Sequence, residues 1–104
     1  MAETYAYVTT TGRKSGLPRQ IEIWFVEIEG TIYILAERGF KTQWVQNILV
    51  NPGVQVKIGD QEWNATASVL DPEKDADKYR RAQELSRQKY DWGDGLPVEI
   101  KPRR

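Results

Sequence analysis

The sequence lacks cysteine and histidine altogether. A chain without thiols or imidazoles can form no disulfide, ligate no iron–sulfur cluster, and use neither a thiol nucleophile nor a histidine acid or base of its own. A zinc site is not expected either, since zinc is held mainly by these two side chains. We therefore expect no metal site, and the side chains left for chemistry are carboxylates, hydroxyls and cations.

The sequence also lacks an excess of either charge, because its 15 lysines and arginines balance its 15 aspartates and glutamates. Overall electrostatics therefore favour no polyanionic partner such as a nucleic acid, although a local patch could still bind an anion. No apolar run approaches the roughly 18 residues of a membrane span, and no signal peptide precedes the first predicted strand. We expect one domain over residues 1–104, without a membrane span and located in the cytoplasm.

The stretch Thr9–Arg19, called the basic turn below, combines small, flexible and cationic residues in the sequence TTTGRKSGLPR. Gly12 and Gly16 can adopt positive φ at no steric cost, and Pro18 fixes its own φ. The basic turn is therefore predicted to reverse the chain between two strands.

The charges of the basic turn are all of one sign. Arg13, Lys14 and Arg19 lie within seven residues, beside hydroxyl groups and with no acid between them. Guanidinium, ammonium and hydroxyl groups all donate hydrogen bonds, which suits a phosphate. The alternative is a solvated hairpin tip whose charges serve solubility.

Apolar periodicity predicts mostly strands. Five strands are predicted, at Tyr5–Thr10, Arg19–Glu29, Thr31–Ala36, Gly53–Gly59 and Glu62–Leu70. Two helices are predicted, at Lys41–Asn51 and from Pro72 to about Tyr90, the second covering one end of the barrel, while Asp91–Arg104 is expected to be mostly irregular with Val98–Lys101 extended. Short turns favour antiparallel pairing. The order predicts a mainly β (α+β) fold, a small antiparallel barrel of five or six strands with one inserted helix and a C-terminal helix.

The alternation of the second predicted strand breaks at Trp24, Phe25 and Val26, after which the apolar residues lie on the other face. A strand that changes face either carries a bulge or is covered on both sides. Trp24 is accordingly expected either in the core or as a platform for a flat ring. The acids along this strand, such as Glu22 and Glu27, are expected on its wet face, and no group of acids predicts a catalytic site.

A second anion site is predicted at Lys41 and Thr42, because the N-terminus of a helix offers N–H groups and a positive potential. The alternative is that Lys41 is simply exposed. Trp44 is expected either on the core stripe with Ile48 or beside a ligand. Two cationic sites with flat aromatic side chains beside them, and no catalytic groups, favour a bound flat cofactor that carries a phosphate, such as a flavin.

The basic turn closely resembles the TTGRKSGxPR hairpin of the deazaflavin-dependent nitroreductase family, which belongs to the flavin- and deazaflavin-binding split-β-barrel superfamily. The segment Lys41–Pro52 is similar to the W-x-x-N-L-x-x-N-P helix of that family, and the likeness covers roughly residues 7–70. The resemblance implies a six-stranded split barrel, usually dimeric, with deazaflavin coenzyme F-420 or alternatively FMN in a groove. It also implies hydride transfer from the reduced cofactor to a small acceptor such as a quinone or a nitro compound.

The same resemblance implies a set of cofactor-binding residues. They are Arg13, Lys14, Ser15, Arg19, Ile23, Trp24, Lys41, Thr42 and Trp44. The first four would hold the phosphate or lie beside it, and the flat ring would lie against the strand near Ile23 and Trp24. Lys41 would contact the anionic tail, and Trp44 would form a wall of the groove. The catalytic residues are unknown at this point.

Two other functions stay open. The same site could bind a flavin, a deazaflavin or another ligand without turnover, as a carrier. A small barrel with a basic turn and aromatic side chains could also bind nucleic acid, although zero net charge and the acids along Arg19–Glu29 argue against it. The exposed apolar edge expected of such a barrel favours a homodimer, which would help to enclose the ring.

Overall fold

Residues 4–103, which the computed structural model describes, form seven strands, two α-helices and one 3₁₀-helix. In chain order the strands are β1 (Tyr5–Thr11), β2 (Pro18–Trp24), β3 (Val26–Ile28), β4 (Thr31–Ala36), β5 (Gly53–Ile58), β6 (Gln61–Val69) and β7 (Leu96–Pro102). The 3₁₀-helix (Gly39–Lys41) and α1 (Gln43–Val50) follow β4, and α2 (Ala76–Tyr90) lies between β6 and β7. Among residues 4–103, no helix is both long and apolar enough to cross a membrane.

The seven strands form one antiparallel sheet in the order β2-β1-β5-β6-β7-β4-β3. The two edge strands, β2 and β3, are separated along the chain by Phe25 alone, so the segment Pro18–Ile28 forms one edge of the sheet and then the other. Pairing with β1 stops at Trp24, and pairing with β4 starts at Val26. Sharing one long segment between both edges curls the sheet into a split barrel.

This change of partner is the physical cause of the shift in apolar face within the second predicted strand. The prediction of one continuous strand, Arg19–Glu29, was wrong, because the strand breaks at Phe25. Phe25 packs in the barrel interior, whereas Val26 packs under α2. The break raises the strand count from the expected six to seven. The mainly β, antiparallel split barrel with two helices is confirmed, although the second helix is followed by β7 and is therefore inserted between strands like the first.

A cluster of inward-facing aliphatic side chains from the strands fills the barrel. α1 adds Val45 and Ile48 to this core, as the predicted stripe requires, and Trp44 packs partly against it. Leu49, predicted on the same stripe, is instead 57% exposed. One side of α1 therefore faces the barrel, while the rest of its surface is available to the basic turn and to solvent.

α2 packs on the outer face of β3 and β4 and buries a second, smaller cluster. Tyr33 and Leu35 point outward from β4 into this cluster, where α2 contributes Ala82. β4 is therefore buried on both faces, as its continuous apolar sequence predicts. The expectation that this helix merely covers an end of the barrel was wrong, because it supplies part of a core.

Residues 71–75 form a separate turn before α2. The Asp71 carboxylate accepts hydrogen bonds from the N–H groups of Lys74 and Glu73 at 2.9 and 2.8 Å, and the Asp75 carboxylate accepts one from the Asp71 N–H at 2.9 Å. The two bonds to Asp71 hold the pKa of its carboxyl below the ordinary value. The prediction that the helix begins at Pro72 was wrong, since Asp71 caps this turn and α2 begins at Ala76.

β7 lies between β6 and β4 in the interior of the sheet, and all residues of Leu96–Ile100 are buried. The expectation that Asp91–Arg104 is mostly irregular was therefore wrong, although Val98–Lys101 is extended as predicted. The prolines of this segment were misleading. Pro97 lies near the start of β7 and Pro102 at its end, where a residue without an N–H group removes little of the hydrogen-bond ladder.

Candidate functional site

A groove of about 660 Å³ opens where β2 passes the start of α1 and the end of α2. Its walls are largely aromatic, with Trp24 on β2, Trp44 on α1 and Trp92 just after α2. Ile23 adds apolar surface, and Thr42 is one of a few polar residues. Concave sites of this composition suit a flat, mostly apolar group that carries a few polar atoms.

Trp24 is fixed in the groove by Tyr90, the last residue of α2. The two rings stack in parallel with their centroids 4.5 Å apart and an interplanar angle of 3°, and the Trp92 ring lies 6.4 Å from Trp24. The Tyr90 hydroxyl accepts a hydrogen bond from the Phe25 N–H at 3.2 Å and lies 2.8 Å from the Phe25 carbonyl and 2.6 Å from that of Thr4. Trp24 remains 37% exposed, so it is a fixed wall of the groove rather than a core residue.

The start of α1 forms another part of the wall. Thr42 precedes α1 in an extended conformation, and its side chain makes no capping hydrogen bond. Its hydroxyl oxygen is buried and has no hydrogen-bond partner among residues 4–103. Buried hydroxyls without partners are rare and costly, and the first N–H groups of a helix also lack partners within the helix. A ligand with acceptor atoms would satisfy both.

The basic turn folds over a second, smaller recess of about 340 Å³, called the cationic recess below. The Gly12 N–H donates to the Leu17 carbonyl at 2.8 Å, and the Gly16 N–H donates to the Gly12 carbonyl at 2.9 Å. Gly16 has a φ of 71°, as the sequence allows, whereas Gly12 does not adopt a positive φ. A Cβ on Gly12 would lie 2.6 Å from the Ser15 Oγ, so a side chain at this position would displace the Ser15 hydroxyl from its hydrogen bond with the Leu17 N–H.

Four of the predicted phosphate ligands meet in the cationic recess, namely Arg13, Lys14, Ser15 and Arg19. Within residues 4–103, the side chains of Lys14 and Arg19 have no hydrogen-bond or ion-pair partner. The Ser15 Oγ accepts a hydrogen bond from the Leu17 N–H at 3.2 Å, which leaves the hydroxyl proton able to donate. Among residues 4–103, the recess therefore presents several donors and no acid.

Arg13 differs from these residues because α1 engages it. Its backbone N–H and its Nη1 both donate to the Asn47 Oδ1, at 3.1 and 2.9 Å, and its Nη2 donates to the Gln43 Oε1 at 2.8 Å. Asn47 is 5% exposed, and its Nδ2 donates to the Thr10 Oγ1 at 3.3 Å. We call Thr10, Arg13, Gln43 and Asn47 the clamp. The clamp ties the basic turn to α1.

The predicted site residues thus fall into two groups and one outlier. Ile23, Trp24, Thr42 and Trp44 line the groove, and the residues of the basic turn line the cationic recess. Lys41 is exposed at the end of the 3₁₀-helix and lines neither cavity.

Sequence reasoning missed Gln43 and Asn47 in the cationic recess and Trp92 in the groove. Gln43 and Asn47 are four residues apart on α1 and therefore share one face, which is polar and off the apolar stripe. This pair of polar residues on one face of α1 was the sequence feature that could have indicated a contact with the basic turn. Trp92 lies in a segment expected to be irregular, and no local pattern shows that α2 brings it to the groove.

Glu22 is an acidic residue of the groove wall. Its carboxylate accepts a hydrogen bond from the Tyr7 hydroxyl at 2.7 Å on the exposed face of β1 and β2. This hydrogen bond and the charge of Glu22 raise the pKa of Tyr7. One oxygen of the Glu22 carboxylate is therefore already engaged by the Tyr7 hydroxyl.

The model of the F420H(2)-dependent quinone reductase family matches residues 2–100 of the chain. The chain belongs to this family. The family resemblance seen in the basic turn and in α1 is thereby confirmed. A solved F420-H2 dependent reductase, FDR-A, is 30% identical to this quinone reductase family member, and the match covers 94% of this chain and 93% of that one with a TM-score of 0.69.

Two further solved structures are similar to this family member. One is a domain-swapped dimer that is 28% identical, with 97% of this chain and 81% of that chain covered and a TM-score of 0.69. The other is a putative pyridoxamine 5'-phosphate oxidase from Listeria innocua, 20% identical, with 97% and 85% covered and a TM-score of 0.74. At that identity the second likeness shows the split-barrel fold alone.

Proposed function

We propose that this chain is a reductase that uses the deazaflavin coenzyme F-420 to reduce a small conjugated acceptor such as a quinone or a nitro compound. When bound, the reduced coenzyme supplies the hydride, so the chain needs neither a nucleophile nor a histidine. One observation carries the proposal: the aromatic groove and the cationic recess both border the same short helix, α1. That arrangement suits a flat ring linked to a phosphate.

The groove residues fit the ring of such a coenzyme. Trp24 and Trp44 offer apolar surfaces, and Ile23, like Trp44, packs partly against the barrel core. The Thr42 hydroxyl, which has no partner among residues 4–103, would hydrogen-bond to a polar atom of the ring. We infer that these residues bind the ring, fix its orientation and keep water from its reactive face.

The residues of the cationic recess fit the anionic part. Lys14 and Arg19 would make charge-assisted hydrogen bonds to a phosphate, and Ser15 would donate its hydroxyl proton. Arg13 adds positive charge, although one N–H of Nη1 and one of Nη2 are engaged by the clamp. We propose that Lys41, exposed outside both cavities, contacts a longer anionic tail.

Titration with the coenzyme tests this proposal. We expect the purified protein to quench or shift the fluorescence of F-420. The double variant Lys14→Ala/Arg19→Ala should bind about a hundredfold more weakly, because two charge-assisted contacts together contribute roughly 3 kcal/mol. The matched control is Lys57→Ala/Arg80→Ala, which removes the same two kinds of charge from exposed positions outside both cavities. A double variant that binds as tightly as the parent would remove the basic turn from the site.

Turnover separates a reductase from a carrier. Protein loaded with reduced F-420 is mixed with a panel of quinones and nitro compounds, and oxidation is followed in a single turnover. Oxidation faster than in free solution supports the reductase, whereas binding without acceleration supports a carrier. FMN is titrated in parallel, and tighter binding of FMN would replace F-420 as the cofactor. No binding of either cofactor would refute the proposal.

We further propose that the chain acts in the cytoplasm as a single-domain homodimer that encloses the groove. Tyr5, Tyr7 and Trp24 are 43%, 37% and 37% exposed on the outer face of β1 and β2, where Tyr5 and Trp24 line the groove. A second copy packed on this face would bury them, and a 28% identical relative is a domain-swapped dimer. Light scattering measures the mass in solution, and a monomer at micromolar concentration would contradict the dimer.

A further inference from the structure

We propose that Asn47 is a positioning residue that sets the shape of the cationic recess through Arg13, leaving Lys14 and Arg19 as the cations that meet the anion. The inference rests on the proposed function, because it assumes that the recess binds the anionic part of a ligand. It assigns to Asn47 and Arg13 a role different from direct contact with the phosphate.

The hydrogen bonds of Asn47 support this role. One buried amide oxygen accepts from both the backbone and the guanidinium of Arg13, at 3.1 and 2.9 Å, so it fixes the turn and the side chain together. The amide nitrogen donates to Thr10 on β1 at 3.3 Å, and Thr10 is 1% exposed. Asn47 therefore joins α1 to β1 and to the basic turn from a buried position.

Both terminal nitrogens of the Arg13 guanidinium are held by hydrogen bonds. Its Nη1 is bonded to Asn47 and its Nη2 to Gln43, and the two acceptors lie on one face of α1. A guanidinium is a rigid planar fork, so two fixed acceptors define its plane. Arg13 is consequently a strut between the basic turn and α1, whereas Lys14 and Arg19 have no side-chain partner among residues 4–103.

The two acceptors of Arg13, Asn47 and Gln43, also affect the charge of the recess. Both are neutral amides, so they orient Arg13 without cancelling its charge. A carboxylate at either position would hold Arg13 at least as firmly, but it would form an ion pair and lower the positive potential of the recess. A neutral amide at residue 47 therefore serves two purposes: it fixes the geometry of the turn, and it leaves the positive potential of the recess available to an anion.

Asn47 also links the two cavities. Asn47 and Gln43 border the recess, while Thr42 and Trp44, at the first turn of the same helix, border the groove. When the basic turn is held on α1, the cations stand at a fixed position relative to the groove. Weakening the clamp should therefore impair binding of a ligand that spans both cavities more than binding of a small anion.

Two substitutions at residue 47 separate geometry from charge. Asn47→Leu removes every hydrogen bond of the amide but adds no charge, whereas Asn47→Asp keeps the acceptor and adds a negative charge. Asn64→Leu, at an exposed position on β6 outside both cavities, is the matched control. Should Asn47→Leu fail to fold, Gln43→Ala removes one exposed bond of the clamp and serves as the milder variant.

The first readout is amide hydrogen exchange of the coenzyme-free protein by NMR, so it does not depend on F-420. The Arg13 N–H is bonded to Asn47 and should be protected in the parent and in Asn47→Asp, but should exchange at least about tenfold faster in Asn47→Leu. Equal protection of Arg13 in the parent and Asn47→Leu would overturn the proposal.

The second readout is F-420 affinity at low and high salt. Asn47→Leu should weaken binding about 10- to 100-fold at every salt concentration, because Lys14 and Arg19 would no longer be held in position for the anion. Asn47→Asp should weaken binding mainly at low salt, because salt screens the added charge. If the parent binds no F-420, the proposed function fails, and inorganic phosphate titrated against the Lys14 and Arg19 amide signals then takes the coenzyme's place.

A double-mutant cycle tests whether Asn47 acts through Arg13. Arg13→Lys keeps the charge but removes the fork, so it should weaken F-420 binding by itself. Asn47→Leu combined with Arg13→Lys should then bind no worse than Asn47→Leu alone, since one clamp is lost in either case. Additive losses would mean that the two residues contact the ligand independently, which would overturn the assignment.

Discussion

Replacing Tyr33 with phenylalanine removes one hydroxyl from a buried hydrogen bond beneath α2. Tyr33 on β4 is 3% exposed, and its hydroxyl donates to the Glu99 carboxylate on β7 at 2.8 Å. Glu99 is itself 6% exposed, and the Lys78 ammonium on α2 lies 3.1 Å from the same oxygen. Lys101 is more distant, 3.9 Å from the other oxygen. In the variant, the buried carboxylate keeps Lys78 as its close donor and loses Tyr33.

The magnitude follows from the charge and burial of the acceptor. A hydrogen bond to a charged group contributes about 1.5–3 kcal/mol in folded proteins. Because Lys78 remains, we expect Tyr33→Phe to lower the free energy of unfolding by about 2 kcal/mol. For a domain of about 100 residues, roughly 4 °C is lost per kcal/mol, so the melting temperature should fall by about 8 °C.

Tyr7→Phe is the matched control, because Tyr7 makes the same kind of bond to Glu22 at 2.7 Å on an exposed face. Water can replace the lost partner there, so the fall in melting temperature should be less than about a third of that in Tyr33→Phe. Thermal unfolding followed by circular dichroism at pH 7 measures both. An equal fall in melting temperature in the two variants would refute the reasoning that burial determines how much the hydrogen bond stabilises the fold.

The pH dependence gives an independent check. Burial, and then the hydrogen bond to Glu99, raise the pKa of Tyr33 above its ordinary value of 10.0. The folded chain therefore holds the phenol proton more tightly than the unfolded chain. The resulting contribution to the free energy of unfolding is fully present below about pH 10 and is lost as the pH rises towards the pKa of the folded state. The stability gap between the parent and Tyr33→Phe should shrink above about pH 10. A constant gap would contradict the assignment.

Two more variants examine the basic turn and the groove. Gly12→Ala places a Cβ 2.6 Å from the Ser15 Oγ and should weaken F-420 binding about tenfold or more, measured by fluorescence titration, and unchanged affinity would show that the turn can relax. Tyr90→Phe leaves the Phe25 N–H without its hydroxyl acceptor and should lower the free energy of unfolding by about 1 kcal/mol. Tryptophan emission should shift to the red, because Trp24 is held less firmly. Unchanged emission would show that stacking alone holds the Trp24 ring.

Much of the fold could be predicted because its signals are local. β1, β4, β5 and β6 lie within a residue or two of their predicted bounds, since alternation or continuous apolar sequence marks each strand. The break at Phe25 and the central position of β7 could not be predicted in the same way. Both depend on which distant strand supplies the pairing partner, and proline content concealed β7.

In the candidate site, too, the local features could be predicted from the sequence and the long-range contacts could not. The cations of the basic turn were recognised because they are neighbours in the sequence, and the structure places them around one recess. The clamp joins Arg13 to Gln43 and Asn47, which are distant along the chain, and the stack of Trp24 on Tyr90 joins β2 to α2. Contacts of this kind need the three-dimensional arrangement, so the sequence indicates which residues could meet an anion but not which residues orient them.

A chain with no net charge attracts an anion through its charged side chains only where those charges are arranged unevenly. The cationic recess has this property, because three cations border it, no acid among residues 4–103 does, and its two α1 residues are amides. Its attraction for an anion is therefore local and should survive changes of net charge elsewhere. Lys57→Ala/Arg80→Ala alters the net charge as much as Lys14→Ala/Arg19→Ala does, yet only the second pair should weaken binding strongly. Comparable losses in both would mean that net charge, rather than the recess, attracts the anion.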